Sequence, residues 1–338
     1  MRSIYGVTYQ QLEEFLIANG EKKYRASQIF TWLYEKNVQS FEEMSNIGAS
    51  LQTLLQTNYY FEKLELVKEE DDVDVSKYLF RLNDKELIET VLMRHDYGNS
   101  LCISSQVGCN MNCSFCQSGK RKKQRNLTTS EMICQIRAVA SKANIRISHV
   151  VIMGIGEPFD NYDNVINFLI LANDYRALNI GSRHLTVSTC GIVPKIYEFA
   201  NLPLQVNLAI SLHAPNNELR SQLMPINKVY PIEELMQAIK FYLQKTNRRV
   251  TFEYILLDGI NDREEDAIEL ASLLQGLECY VNLIPYNESD GNYKRSKRSQ
   301  IMKFYDIIKK RKVQVTIRRE FGSKISAACG QLRSQKEE

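Results

Sequence analysis

The chain has 338 residues, of which 44% are hydrophobic and 25% are charged, and its formal net charge is +3. These proportions are ordinary for a globular protein, and this length can hold one barrel-sized domain and a small additional domain. The sequence has no apolar run of about eighteen residues, so we expect no membrane span. It also shows no apolar N-terminal signal segment, which predicts a cytoplasmic protein with reduced thiols.

The first sixty residues have a helical pattern. Thr8 and Gln11 form a capping box before an apolar face, and Gly20 is a natural stop for that helix. Further helices are expected from about Arg25 and over residues 48–57. Residues 1–60 are therefore predicted to be a small helical accessory domain.

Residues 61–100 are predicted to be a linker with a β-extension. The acidic stretch 69–74 is expected to be a turn or linker. Two strand-like runs follow it, at 77–82 and 87–93.

From residue 101 onward, strand and helix patterns alternate. The predicted strands lie at 101–106, 149–153, 184–189, 205–212, 250–257, 280–285 and 313–319. Roughly six strand–helix units in series indicate a parallel, right-handed wound sheet, which is either open or curved into a partial barrel. Cysteines, glycines and polar residues follow the strand ends, as in barrel enzymes. The predicted fold class is α/β, with a partial TIM-like (β/α)6 barrel and a C-terminal extension over residues 101–338.

Three cysteines follow the first of these strands with the spacing CxxxCxxC, namely Cys109, Cys113 and Cys116. Structural zinc usually takes four ligands in two pairs, and the four histidines of the chain are scattered singly along the sequence. A four-iron cluster held by three cysteines keeps one iron free for another ligand. The spacing therefore favours an open [4Fe-4S] cluster over zinc.

This spacing, with Phe115 before the last cysteine, resembles the radical S-adenosylmethionine superfamily. The resemblance implies that the free iron chelates S-adenosylmethionine and reduces its sulfonium, which releases a 5′-deoxyadenosyl radical. Residues 153–158, Met-Gly-Ile-Gly-Glu-Pro, follow the second strand. On its own this segment is equally consistent with a tight turn. Beside an open cluster it resembles the glycine-rich segment of the superfamily, which implies that Gly156 approaches the amino group and Glu157 partners a cation.

Further segments resemble the RlmN/Cfr family of RNA adenine methyltransferases, and the likeness covers nearly the whole chain. They are residues 24–29, 41–44, 102–109, 125–128, 154–158, 188–194, 211–215, 224–227, 282–285 and 327–332. The family implies a partial barrel with an RNA-contacting N-terminal domain. Pro158 resembles the branch that methylates carbon 2 of adenine, whereas the branch that methylates carbon 8 typically has alanine there. The implied partners are 23S rRNA, tRNA and an electron donor such as flavodoxin or ferredoxin.

The resemblance also implies roles for individual residues. Cys329 would carry the methyl group as S-methylcysteine, a deoxyadenosyl radical would abstract hydrogen from it, and the resulting carbon radical would add to adenine. Cys102 would then form a disulfide with Cys329 to release the product. Glu89 matches a proton acceptor, and whether Glu89 or Cys102 removes the carbon-2 proton stays open. The implied cofactor contacts are Gly156, Glu157, Ser188, Ser211, Leu212, His213 and Asn287.

Other cysteines are expected to be small buried hydrophobes, namely Cys134, Cys190 and Cys279. Basic runs at 120–123 and 294–319 fit phosphate contacts to a folded RNA. The loop 117–124 departs from the family because Gly119 does not stand where relatives usually have a glycine. Two alternatives remain. The first is methylation at carbon 8 or on another RNA. The second is a non-catalytic RNA-binding protein with a structural metal site, and the thiols Cys102 and Cys329 argue against it because such a protein has no need of them.

Overall fold

The computed structural model describes residues 1–288, 293–318 and 330–332. Its N-terminal part is helical, and the two ends of this part are joined by a short parallel strand pair. The predicted capping box is present, because the Thr8 hydroxyl accepts the Gln11 N–H while the Gln11 side chain accepts the Thr8 N–H. The elements are β1 (Arg2–Ser3), α1 (Tyr9–Ala18), α2 (Tyr24–Phe30), α3 (Ala49–Asn58) and β2 (Tyr59–Tyr60).

Within the described residues, ten strands form one mixed sheet. Its strands are β3 (Glu65–Asp72), β4 (Val75–Arg81), β5 (Leu87–His95), β6 (Gly98–Ile103), β9 (Ile147–Ile152), β10 (Leu185–Thr189), β11 (Asn207–Ser211), β12 (Val250–Leu256), β13 (Cys279–Pro285) and β14 (Gln314–Ile317). A separate antiparallel ribbon is made by β7 (Gln106–Val107) and β8 (Arg125–Asn126). The helices of this part are α4 (Thr129–Ala143), α5 (Tyr162–Asn173), α6 (Val193–Phe199), α7 (Asn217–Leu223), α8 (Ile232–Thr246), α9 (Glu264–Leu273) and α10 (Arg298–Lys310).

The spatial order of the sheet is β14-β13-β12-β11-β10-β9-β6-β5-β4-β3. From β6 to β14 neighbouring strands are parallel, and helices connect them, whereas β3 to β6 are antiparallel. The predicted α/β class and partial (β/α)6 barrel are confirmed. In the part of the chain that the structure describes, no helix has the length and apolarity needed to cross a membrane.

The acidic stretch is mainly strand, so its prediction as a turn or linker was wrong for residues 69–72. These residues belong to β3, and only 73 and 74 form the turn to β4. Glu70 lies opposite Lys77 of β4, with 2.6 Å between Oε2 and Nζ. Opposite charges across strands stabilise the pairing, and an edge strand tolerates charged side chains because one of its edges faces solvent.

Candidate active site at the carboxyl ends of the strands

The ribbon of β7 and β8 closes a loop over residues 108–124 that contains the three spaced cysteines. Gly108 begins the loop at φ +75°, and a Cβ there would lie 2.4 Å from the carbonyl oxygen of Lys122. A side chain at position 108 would therefore collide with the backbone near Lys122, and only glycine fits there without displacing it. Midway along the loop, the Ser114 N–H donates to the Leu223 carbonyl at the end of α7 over 2.9 Å. The loop is therefore fixed at its base and against α7.

Cys109, Cys113 and Cys116 line one cavity. Burial raises the pKa of the Cys109 thiol to about 12 and that of Cys113 well above its ordinary value, and neighbouring cysteines raise both further. Among the described residues, no three His, Cys, Asp or Glu side chains stand close enough to hold one metal ion. A four-iron cluster takes each cysteine on a different iron. Three thiols that line one cavity are the donors that such a cluster takes, so this donor set fits it.

The histidines are less scattered in space than in sequence. The His149 and His184 rings stack with centroids 4.2 Å apart, and Tyr97 packs between His149 and His95. This group lies at the amino ends of β9 and β10, whereas the cavity lies at the carboxyl ends. The three histidines are thus remote from the cysteine loop.

The cavity has a volume of about 150 Å³ and opens to solvent. Five of the seven expected cofactor contacts line it together with the three thiols: Gly156, Glu157, Ser188, Ser211 and His213.

The other two expected contacts lie outside this lining. Leu212 is fully buried in the main core, and its N–H donates to the Glu253 carbonyl over 3.1 Å. Asn287 follows β13 and is 9% exposed. Its Oδ1 is buried and has no hydrogen-bond partner among the described residues.

Glu157 joins the glycine-rich turn to the end of β10. Its Oε1 accepts the Phe159 N–H over 3.0 Å, and its Oε2 accepts the Cys190 N–H over 2.8 Å. Burial raises the pKa of Glu157, and these donors oppose that rise. Gly156 has φ +110°, and a Cβ there would lie 2.6 Å from the Gln106 Cβ. The turn therefore requires glycine at position 156, and the Glu157 carboxylate ties it to the end of β10.

His213 is a neutral, oriented donor. Its Nδ1 accepts the Ile255 N–H over 3.1 Å, so the ring proton resides on Nε2. Burial lowers the pKa of His213 to about 3, and the Arg220 charge adds to this effect. Phe115 packs against the imidazole edge to face, with centroids 4.9 Å apart. The packing holds the ring in the cavity wall.

Sequence reasoning missed two buried charged residues at this site. Glu253 of β12 lines the cavity, its Oε2 accepts from Asn282 Nδ2 over 2.8 Å, and burial raises its pKa. Arg220 is fully buried in α7, beside the buried Leu219 and Leu223. A charged residue within an apolar helix stripe was the available signal for Arg220.

Glu89 and Cys102 project from the same face of the sheet. The register places Lys77 opposite Val91 and Val91 opposite Cys102, so the three share a face. Glu89 is two residues from Val91 on the same strand and therefore shares that face. Glu89 is 3% exposed, and its Oε1 lies 3.6 Å from the Lys77 Nζ.

The C-terminal residues 330–332 connect this face to the cysteine loop. Cys329 lies outside the described residues. Gly330, which follows it in the chain, lines the cavity, and its carbonyl accepts the Gln117 N–H over 2.8 Å. Leu332 packs in the same small apolar cluster as Cys102, and its carbonyl accepts the Ser118 hydroxyl over 2.8 Å.

Three of the five basic residues at positions 120–125 have acidic partners. The pairs are Arg121–Glu86, Lys123–Asp160, Arg125–Asp84 and Arg125–Glu131, all within 2.6–2.7 Å. Lys120 and Lys122 are exposed, and neither has an ion pair among the described residues. These two lysines are therefore the cations of this loop that remain available to a polyanion.

Comparison with known proteins agrees with this geometry. Residues 103–271 match the radical SAM superfamily, and residues 3–60 match the ribosomal RNA large subunit methyltransferase N-terminal domain. A crystal structure of a radical SAM methyltransferase from Sphaerobacter thermophilus superposes with a TM-score of 0.93 at 42% identity, covering 99% of this chain and 100% of that chain. The fold and the site thus define a radical SAM enzyme.

Full-length relatives give the narrower assignment. The chain is 53% identical to the probable dual-specificity RNA methyltransferase RlmN of Spiroplasma citri, covering 100% of this chain and 99% of the relative. It is 56% identical to the protein of the same description from Enterococcus faecalis, covering 98% and 96%. The chain belongs to the RlmN family of radical SAM RNA methyltransferases, which confirms the resemblance noted in the sequence. Membership implies a [4Fe-4S] cluster and S-adenosylmethionine.

Proposed function

We propose that this protein methylates carbon 2 of an adenosine in the peptidyl-transferase centre of 23S rRNA and of an adenosine next to the anticodon in tRNA. The observation that carries the proposal is the meeting of three elements around one cavity: the three-thiol loop, the glycine-rich turn and the segment that follows Cys329. Pro158 supports carbon 2, and the relatives described as dual-specificity support two RNA substrates. The reaction would occur in the cytoplasm with electrons from flavodoxin or ferredoxin.

Cys109, Cys113 and Cys116 would hold the cluster, and Gly156, Glu157, Ser188, Ser211 and His213 would bind S-adenosylmethionine. When bound, this pair of groups supplies a deoxyadenosyl radical. His213 would donate a hydrogen bond through Nε2, because its other nitrogen already accepts a backbone N–H. Leu212 would act by placing its neighbours, and the unpartnered Asn287 Oδ1 would accept from the cofactor.

The thiols explain how an unactivated ring carbon can be methylated. Carbon 2 of adenine is electrophilic and has no acidic proton, so a simple displacement does not suffice. Cys329 would carry the methyl group, and Cys102 would attack the Cys329 sulfur to release the product and leave a disulfide. Glu89 or Cys102 would take the carbon-2 proton. The shared face of Glu89 and Cys102, and the packing of Leu332 against Cys102, support this arrangement.

We assign one role to each of the three predicted domains. Residues 1–60 would contact the RNA, residues 61–100 would extend the sheet with the strand that carries Glu89, and residues 101–338 would form the catalytic barrel. Exposed Lys120 and Lys122 would add phosphate contacts beside the cavity. Presenting one adenine to this cavity resembles base flipping.

Mass spectrometry of digested rRNA and tRNA from a deletion strain and its parent tests the proposal. We expect 2-methyladenosine to disappear in the deletion strain and to return with the wild-type gene. Cys329→Ala should retain iron but not restore the modification, because the methyl carrier is absent. Cys279→Ala is the matched control, since this cysteine begins β13 at the opposite end of the barrel. Normal methylation by Cys329→Ala would reject the carrier role, and 8-methyladenosine would select the alternative carbon.

A second variant tests the resolving thiol. Cys102→Ala should still form the adduct with RNA but should not release it. A ribonuclease-sensitive slow band should then appear on a denaturing gel, and it should be absent when Cys329 is also replaced. A fully active Cys102→Ala enzyme would contradict the assignment.

A further inference from the structure

Arg220 is a fully buried cation, and its hydrogen-bond partners among the described residues are all neutral. Its guanidinium donates to the Leu212 carbonyl over 3.2 Å, to Asn227 Oδ1 over 3.0 Å and to the Cys190 carbonyl over 2.6 Å. A longer contact of 3.4 Å reaches the Ser211 carbonyl. No carboxylate of the described residues lies within 4 Å of it. A buried charge without a counter-charge is costly, so a fold that retains one is expected to bring an anion to it.

The position of Arg220 identifies the anion. Arg220 donates to the carbonyl of Cys190, and Cys190 lines the same cavity as Cys113. Cys113 is one of the three spaced cysteines. Leu223, on the same helix, holds the cysteine loop through the Ser114 N–H. Helix α7 therefore fixes the cation and the thiolate loop relative to each other.

We propose that Arg220 compensates the negative charge of the cysteine-bound cluster and positions the strand ends that surround it. Each cysteine ligand binds as a thiolate, and reduction by one electron makes the assembly one unit more negative. A fixed cation nearby stabilises the reduced state more than the oxidised state and raises the reduction potential. The inference rests on the cluster assigned above.

The measurement is an EPR-monitored redox titration of anaerobically reconstituted protein. Arg220→Met should shift the midpoint potential to more negative values, because the cation is lost. Arg220→Lys should shift it less, since the charge remains while the fork of hydrogen bonds is lost. A third variant, Asn227→Asp, keeps Arg220 but replaces its Asn227 amide partner with a carboxylate. The carboxylate neutralises the charge of the guanidinium. This variant should shift the potential in the same direction as Arg220→Met.

Arg137→Met is the matched control. Arg137 also donates to neutral groups, namely the Leu33 carbonyl, Asn37 Oδ1 and the Tyr5 hydroxyl. These partners lie in the N-terminal part, away from the cavity. We expect the potential of Arg137→Met to equal that of the wild type.

A second readout does not depend on redox chemistry. Loading the cluster should raise the melting temperature of the wild type more than that of Arg220→Met, because only the wild type gains a buried ion pair. Unchanged potentials in both Arg220→Met and Asn227→Asp would overturn the inference. Failure of the wild type to bind iron would instead reject the proposed cluster, so the two failures are distinguishable.

Discussion

Replacing Lys77 with methionine tests the ion pair that holds Glu89. The Lys77 Nζ lies 2.6 Å from a Glu70 oxygen and 3.6 Å from a Glu89 oxygen. At an effective dielectric constant of ~20, charges 3.6 Å apart attract each other by about 5 kcal/mol. Desolvation of both groups offsets much of this attraction. Removing one partner is nevertheless expected to cost about 3–5 kcal/mol, because the 3% exposed Glu89 carboxylate stays buried without this cation.

This loss corresponds to a fall in melting temperature of about 4–7 °C for a chain of this length. Differential scanning fluorimetry of protein without cluster, at a fixed scan rate, measures the melting temperature of each variant.

Two controls separate the buried pair from general destabilisation. Lys68→Met breaks only an exposed pair with Glu70, since the Lys68 side chain is 61% exposed, so less than about 1 kcal/mol should be lost. Lys77→Met combined with Glu89→Gln should recover much of the stability, because the buried charge that Lys77 faces is removed together with it. An equal loss of stability in Lys68→Met, or a double variant no more stable than Lys77→Met, would refute the reasoning.

Three further changes have defined outcomes. Cys113→Ala should lower the bound iron and abolish formation of 5′-deoxyadenosine, both measured after anaerobic reconstitution; full cleavage activity would contradict its role as a ligand. Gly156→Ala should lower the melting temperature and weaken S-adenosylmethionine binding in calorimetry, since φ +110° costs a non-glycine residue about 1–3 kcal/mol and the added Cβ meets Gln106. Lys122→Ala should reduce the slope of log RNA affinity against log salt by about 1, whereas Lys123→Ala should reduce it less because Lys123 pairs with Asp160; equal slopes would contradict this distinction.

Local signals in the sequence predicted the elements well. The capping boxes at Thr8 and Thr128 begin α1 and α4, because the paired hydrogen bonds need only residues three apart. The alternation of strand and helix patterns predicted the parallel sheet, because parallel strands require long crossover connections, and the polar residues at the strand ends together with the family resemblance favoured the barrel. These features depend on short segments or on general rules of topology.

Features that depend on distant partners were not predicted. The acidic residues of β3 lie in a strand, where Glu70 pairs with Lys77 of the next strand. Lys123 looked free for RNA until the fold brought Asp160, 37 residues away, to its side. Spacing and composition carry no information about such pairs. A single sequence therefore predicted the cysteine loop but not which of its cations are already neutralised.

The buried groups of the site share one mode of attachment, which is to the main chain of neighbouring strand ends. Glu157 accepts backbone N–H groups after β9 and β10, His213 accepts one from β12, and Arg220 donates to carbonyls that follow β10 and β11. Each side chain thus fixes the backbone of an adjacent strand end as well as its own position. Because the cavity is built from these strand ends, altering one side chain changes the walls that the others form. The cofactor contacts and the barrel mouth are therefore one cooperative unit, in which Leu212 can contribute without lining the cavity.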